Sequence, residues 1–152
     1  MNKKKWILSG IGLLLVILGA LVFFMRGRQS DLRDFSWGMT REQVKQHESA
    51  LLESEKDDAL IYRTTLFESL VAQGYYFTNG KLSKVQYVSL SKQKELKSSE
   101  YLKIRAELEH RYGPAAETPH DEYREIFWNT SQTRITLLFY PEQAVWVLQY
   151  QP

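Results

Sequence analysis

The stretch LVAQGYYFTNGKLSKVQYVSL, residues 70–90, decides how this chain folds. At its middle sits Asn79-Gly80, the dipeptide preferred in two-residue hairpin turns because both residues accept a positive φ. Leu70 to Thr78 and Lys81 to Leu90 on either side are rich in β-branched and aromatic residues, so they are predicted as paired antiparallel strands. Upstream, ALIYRTTL (residues 59–66) has the same composition and predicts a third strand. Further upstream the signal turns helical. Thr40 and Gln43 form a capping-box pattern, with Met39 and Val44 placed as a hydrophobic staple. The helix they start is predicted to run to about Leu52, with Val44, His47 and Leu51 on one face.

Downstream of the hairpin the same order recurs. Ser98-Ser99 caps a second helix whose apolar face is Tyr101, Ile104, Leu108 and Tyr112, and Gly113-Pro114 stops it. A loop (115–121) leads to three predicted strands, Tyr123–Thr130, Thr133–Tyr140 and Gln143–Tyr150. Phe77 to Tyr87 and Phe139 to Tyr150 share their Phe, their turn and their Gln-Tyr end. The expected architecture is therefore α+β, helix and three strands twice over, with probable repeats 35–90 and 98–152 and both helices on one face of an antiparallel sheet. Ile135, Leu137 and Phe139 should face the helices, as should Trp146, Leu148 and Tyr150; Arg134, Thr136, Leu138 and Tyr140 should face water.

The first 28 residues differ in kind. Trp6 to Met25, WILSGIGLLLVILGALVFFM, carries no charge. As a helix it would extend roughly 30 Å, the thickness of a bilayer's hydrocarbon core. Its bulky end, before Arg26, is unlike a signal-peptidase site. Residues 1–28 are therefore expected to be an uncleaved single-pass membrane anchor, residues 29–34 a short stalk, and residues 35–152 the folded domain. Lys3, Lys4, Lys5 and the α-amino group slightly outweigh Arg26, Arg28 and Arg33, which places the N-terminus in the cytoplasm and the domain outside it.

The whole chain carries 20 Lys+Arg against 18 Asp+Glu. Five of those positives and none of the acids lie in residues 1–28, which leaves 15 against 18, a net −3, for the rest. A weakly acidic domain is a poor binder of nucleic acid through its phosphates. The absence of Cys excludes disulfides, a thiol nucleophile, a lipid-bearing thiol and thiolate metal sites. No Gly-rich phosphate loop, H-E-x-x-H, EF-hand loop or nucleophile elbow is present. His47 falls on a helix face and His110 in a helix's last turn, where a cation suits the dipole. His120 has Asp121 and Glu122 beside it but lacks a fourth ligand. Lys92, Lys94, Lys97 and Lys103 are interleaved with Glu95 and Glu100 and read as a solvated face. No catalytic residue, metal or cofactor is expected. The unusual feature is the nine tyrosines, many of them on strands. An open sheet face carrying Tyr and Arg suits protein recognition, and Tyr62, Tyr75, Tyr87, Arg134 and Tyr140 are the candidate binding residues.

Three short motifs carry a resemblance: WGM-T-x-E-x-V at Trp37 to Val44, F-x-x-G-x-L at Phe77 to Leu82, and L-x-x-x-Y-G at Leu108 to Gly113. Across residues 35–150 the chain resembles the small-protein-A lipoproteins of outer-membrane assembly and the β-lactamase inhibitor proteins. The resemblance implies helices packed on an antiparallel sheet, in tandem for the inhibitor proteins, and action by binding other proteins. It transfers no contact residue. The expected function is a membrane-tethered, non-catalytic extracytoplasmic module that binds a protein or a cell-envelope component. The alternative is a sensor or carrier of a small apolar ligand.

Overall fold

The computed structural model describes residues 35–91 and 94–152. Thr40 opens α1 (Arg41–His47): its hydroxyl accepts from the Gln43 N–H, and its own N–H donates to the Gln43 side chain at 2.8 Å. After α1 come β1 (Leu51–Lys56), β2 (Ala59–Leu66), β3 (Ser69–Thr78) and β4 (Lys81–Ser89). Then α2 (Lys94–Tyr112) precedes β5 (Ala116–Pro119), β6 (Arg124–Asn129), β7 (Arg134–Tyr140) and β8 (Val145–Gln151). All eight strands form one antiparallel sheet in the order β1-β2-β3-β4-β8-β7-β6-β5. Each group of four is a meander, and the two groups meet at their last strands.

This corrects the expected α+β architecture of two helices and six strands to a mainly-sheet domain of eight strands carrying two helices. The two additional strands are the sheet's edges. β1 displaces the predicted end of the first helix, which stops at His47 because Glu48 is extended (φ −86°, ψ 126°). The Glu48 carboxylate holds that bend by accepting the Ala50 N–H at 2.9 Å and the Tyr75 hydroxyl at 2.6 Å. β1 reads LLESEK, without alternation, and has a bulge between Leu52 and Ser54. β5 is four exposed residues ending in Pro119. Charge, bulges and proline are how sheet edges avoid further pairing, and they also erase the strand signal.

The anchor of residues 1–28, with its span from Trp6 to Met25, and the stalk of residues 29–34 lie outside the described residues. Among the described residues no helix is long and apolar enough to cross a membrane.

Strand pairing aligns the core in rows. Leu60, Tyr75, Val85, Tyr150, Ile135 and Trp128 run side by side across six strands, all buried. The next row is Tyr62, Gln73, Tyr87, Leu148, Leu137 and Ile126. Both helices cover this face. From α2, Glu100 accepts the indole N–H of Trp146 at 3.0 Å, and the Tyr101 ring stacks on Phe139 at 4.6 Å. Beside α1, the Tyr75 hydroxyl donates to Glu48 and accepts from Gln73 Nε2, which also donates to the Tyr87 hydroxyl at 3.1 Å. The segment ahead of α1 ties the two groups of strands together. Met39 and Gly38 bridge to Leu82 through backbone bonds, and the Trp37 indole donates to Thr133 Oγ1 at 3.0 Å.

Two predictions arise from this frame. The turn from β2 to β3 is Phe67-Glu68, with φ of 48° and 70° on non-glycine residues. Left-handed backbone costs an L-residue roughly 1–2 kcal/mol and glycine almost nothing. Glu68→Gly should therefore stabilise the domain by about 0.5–1 kcal/mol in urea titration, despite losing the exposed ion pair to Lys103. The second concerns alkali. Burial first, then its bond to Glu48, pushes the Tyr75 hydroxyl far above the usual tyrosine range, and burial also raises Tyr62 and Tyr101. Below about pH 10 these groups are neutral whether the chain is folded or not, and their contribution is fully present. Above it the unfolded chain releases protons that the folded one retains. Stability should then fall by about 1.4 kcal/mol per pH unit for each such tyrosine. Denaturation midpoints should be flat in this respect up to about pH 10 and show this slope above it, and Tyr75→Phe should flatten it by one tyrosine's share.

Candidate interaction surface

The opposite face of the sheet has neither helix on it. Pairing again aligns rows: Ile61, Gly74, Gln86, Gln149, Thr136 and Phe127 in one, and Arg63, Ala72, Val88, Val147, Leu138 and Glu125 beside it. Among the described residues no element covers this face, and its floor is closely packed, with Thr136 8% and Val147 9% exposed. Larger side chains stand around it. The Tyr76 ring lies over Gly74 so tightly that a Cβ there would come within 2.7 Å of the ring. Lys84, paired with Tyr76 across the strands, holds its ammonium 4.1 Å from the centre of that ring. On the other group of strands the Arg134 guanidinium sits 4.1 Å from the Phe127 ring centre. Both are at cation–π distance, so each ring carries a cation on one face.

At the far end three rings form a stack. His120 lies 4.1 Å from Tyr123, and Tyr123 lies 5.3 Å from Tyr140. Glu125 joins this end to the cations, accepting from His120 at 3.0 Å and meeting Arg134 at 3.5 Å. Arg63 pairs with Glu53 of the edge strand. The face thus offers aromatic area, amides and cations, and no nucleophile with an adjacent base.

The five candidate residues divide between the two faces. Arg134 is exposed and Tyr140 half-buried, both on the open face. Tyr62 and Tyr75 are buried and Tyr87 half-buried beneath the helices, so these three are corrected to the core side. The rows of these three share one face, opposite to that of Arg134 and Tyr140, and β2 by itself allows either reading. Ala59 and Ile61 are as apolar as Leu60 and Tyr62, and only Arg63 marks the odd-numbered positions as outward. Tyr76, Lys84 and Phe127 are the outward residues the sequence reading missed. The parity of Arg63 carried through the Phe67-Glu68 turn would have found Tyr76. Lys84 is shifted by the bulge between Tyr76 and Phe77, which nothing in the sequence announces.

The histidines occupy plain positions. His47 is exposed, with its ring edge 6.4 Å from Phe35, and His110 is exposed near the end of α2. Among the described residues no group of three His, Asp or Glu is placed to hold a metal ion. Compared with family models, curated proteins and solved structures, the chain finds no match.

Proposed function

We propose that the domain of residues 35–152 is a non-catalytic binding module whose open sheet face takes up a protein or a cell-envelope component. The observation that carries this reading is a face eight strands wide, covered by no element among the described residues, that displays Tyr76, Phe127, Leu138 and Tyr140 around a packed floor. Rigid aromatic area with polar tips on a strand scaffold binds at small entropic cost. The resemblance to protein-binding families supports the same reading, and so does the doubled order of one helix and four strands. The core side favours a surface over an internal ligand pocket. Trp146, Tyr75, Ile104, Leu137 and Leu148 fill the space under the helices and are fully buried.

Position-specific photo-crosslinking in the native cells tests this. A photoreactive residue at Leu138 is expected to give a discrete adduct, and one at Leu102, which is 61% exposed on α2, is expected to give none. The double variant Arg134→Ala, Tyr140→Ala should reduce adduct formation from Leu138 about tenfold, the scale of one or two interface residues. Its thermal midpoint should move by only a few degrees, as for surface changes. Equal adducts from Leu138 and Leu102 would defeat the reading. A double variant that unfolds would show that Arg134 and Tyr140 serve the fold.

A further inference from the structure

Resting on the proposed binding role of this face, we infer that its partner presents an acidic polypeptide segment, received by Lys84 and Arg134. Pairing places these two cations in one row. Arg134 lies opposite Gln151, and Val85 lies opposite Tyr150, which sets Lys84 on the other flank of the same end of β8. Two strand spacings separate them, roughly 10 Å. The amides of Gln86 and Gln149 stand in the adjoining row.

Positive charge marks this row, which Lys56 joins from the edge strand through its pairing with Ala59 and then Tyr76. The chain from residue 29 on is net −3, and the helix-side cations Arg41, Lys45, Arg105 and Arg111, unlike Arg124, are matched by carboxylates. Arg41 and Lys45 share Glu55, Arg105 meets Glu109 and Glu117, and Arg111 meets Glu107. Among the described residues Lys84 makes no ion pair; its only partner is the Tyr76 ring. Arg134 shares its one carboxylate, Glu125, with His120. The remaining acids at this end of the sheet, Asp57 and Asp58, lie in the turn beyond the β1 edge. The row therefore holds Lys84 without a carboxylate and Arg134 with one at 3.5 Å, inside an acidic domain.

The aromatic rings sharpen the choice of partner. A sugar would stack on a bare ring, but Tyr76 and Phe127 each already carry a cation. A cation seated on a ring is held in place and remains able to accept a carboxylate on its outer side. Three cations spread along a row six strands wide are too sparse for a polyphosphate backbone or for firm attachment to an anionic bilayer, each of which engages many charges. Two carboxylates on one polypeptide segment, with its backbone reaching the Gln86 and Gln149 amides, match the row in charge and in span.

The test uses the full-length protein and synthetic ten-residue peptides of glutamate, glutamine and lysine, with vesicles of mixed phosphatidylglycerol and phosphatidylcholine as a separate probe. Decaglutamate is expected to bind, to shift the backbone NMR signals of Gln86, Thr136 and Gln149, and to weaken as salt is raised. Lys84→Gln with Arg134→Gln should weaken it about tenfold, and Lys84→Arg should restore the affinity of the Lys84→Gln variant. Circular dichroism confirms that each variant is folded. Decaglutamate shifts elsewhere on the domain, or equal affinity in the double variant, would overturn the inference. Vesicle binding that depends on Lys84 and Arg134, without decaglutamate binding, would replace the acidic segment with a membrane surface. Adducts from Leu138 that persist unchanged in the Lys84→Gln, Arg134→Gln protein would leave the binding face standing and sink only the acidic partner.

Discussion

Replacing Trp146 by alanine is expected to destabilise the domain by about 4 kcal/mol. The side chain is fully buried on β8, opposite Phe139 of β7. Its indole N–H is the hydrogen bond by which the sheet holds Glu100 of α2. Truncating a buried Trp loses its transfer free energy and leaves a cavity, together typically 3–5 kcal/mol. Glu100 would also lose its partner. Domains of this size have about 5–15 kcal/mol in total, so the variant should be close to unfolding at 37 °C. Trp146→Phe retains most of the apolar area and loses the bond, and should cost only about 1–2 kcal/mol. Urea titration followed by near-ultraviolet circular dichroism separates the two. A loss below about 1 kcal/mol for the alanine variant would mean that α2 does not depend on this side chain.

Tyr75→Ala is the counterpart in the first group of strands and should cost about 3–5 kcal/mol. The ring touches Phe35 and Tyr62, with centres 4.8 Å and 5.7 Å away. Its hydroxyl lies between the Glu48 carboxylate and the Gln73 amide. Tyr75→Phe isolates the polar part. It leaves Gln73 with Tyr87 and Glu48 with the Ala50 N–H, so about 1–2 kcal/mol should be lost. If Phe costs as much as Ala, the hydrogen bonds fix α1 and the ring merely fills space. If Phe costs nothing, the Glu48 bend is held by the Ala50 N–H alone. Hydrogen exchange at the amides of Val44 and Glu48, which close the α1 turns, reports directly on that helix.

The parts of this fold that could be read in the sequence are those set by local chemistry. Asn79-Gly80 turns a hairpin whatever surrounds it, and Thr40 with Gln43 starts a helix from within its own first turn. The alternation in β7 reads correctly because Arg134 and Tyr140 alternate with Ile135, Leu137 and Phe139. The edge strands failed for the opposite reason. LLESEK and AETP are shaped by the need to stop pairing, so their residues resemble loops. The open face was half legible. Arg134 and Tyr140 could be placed from β7 alone, whereas Lys84 depends on a bulge and on which strand lies beside β4. That adjacency is set by residues meeting across about sixty positions of sequence.

The pairing of β4 with β8 has a consequence for how the protein is made. Val85–Val88 can find Val147–Tyr150 only after the ribosome has delivered the last strand. Until then the first meander has β4 as a bare edge, alternating apolar Leu82 and Val85 with half-buried neighbours. A nascent chain stalled or cleaved before β8 would display that edge to every other such chain, and unpaired edges of this kind assemble with one another. Fragments ending before residue 145 should therefore be sticky where the whole chain is not, and synthesis of this protein is safest when its final strand arrives quickly.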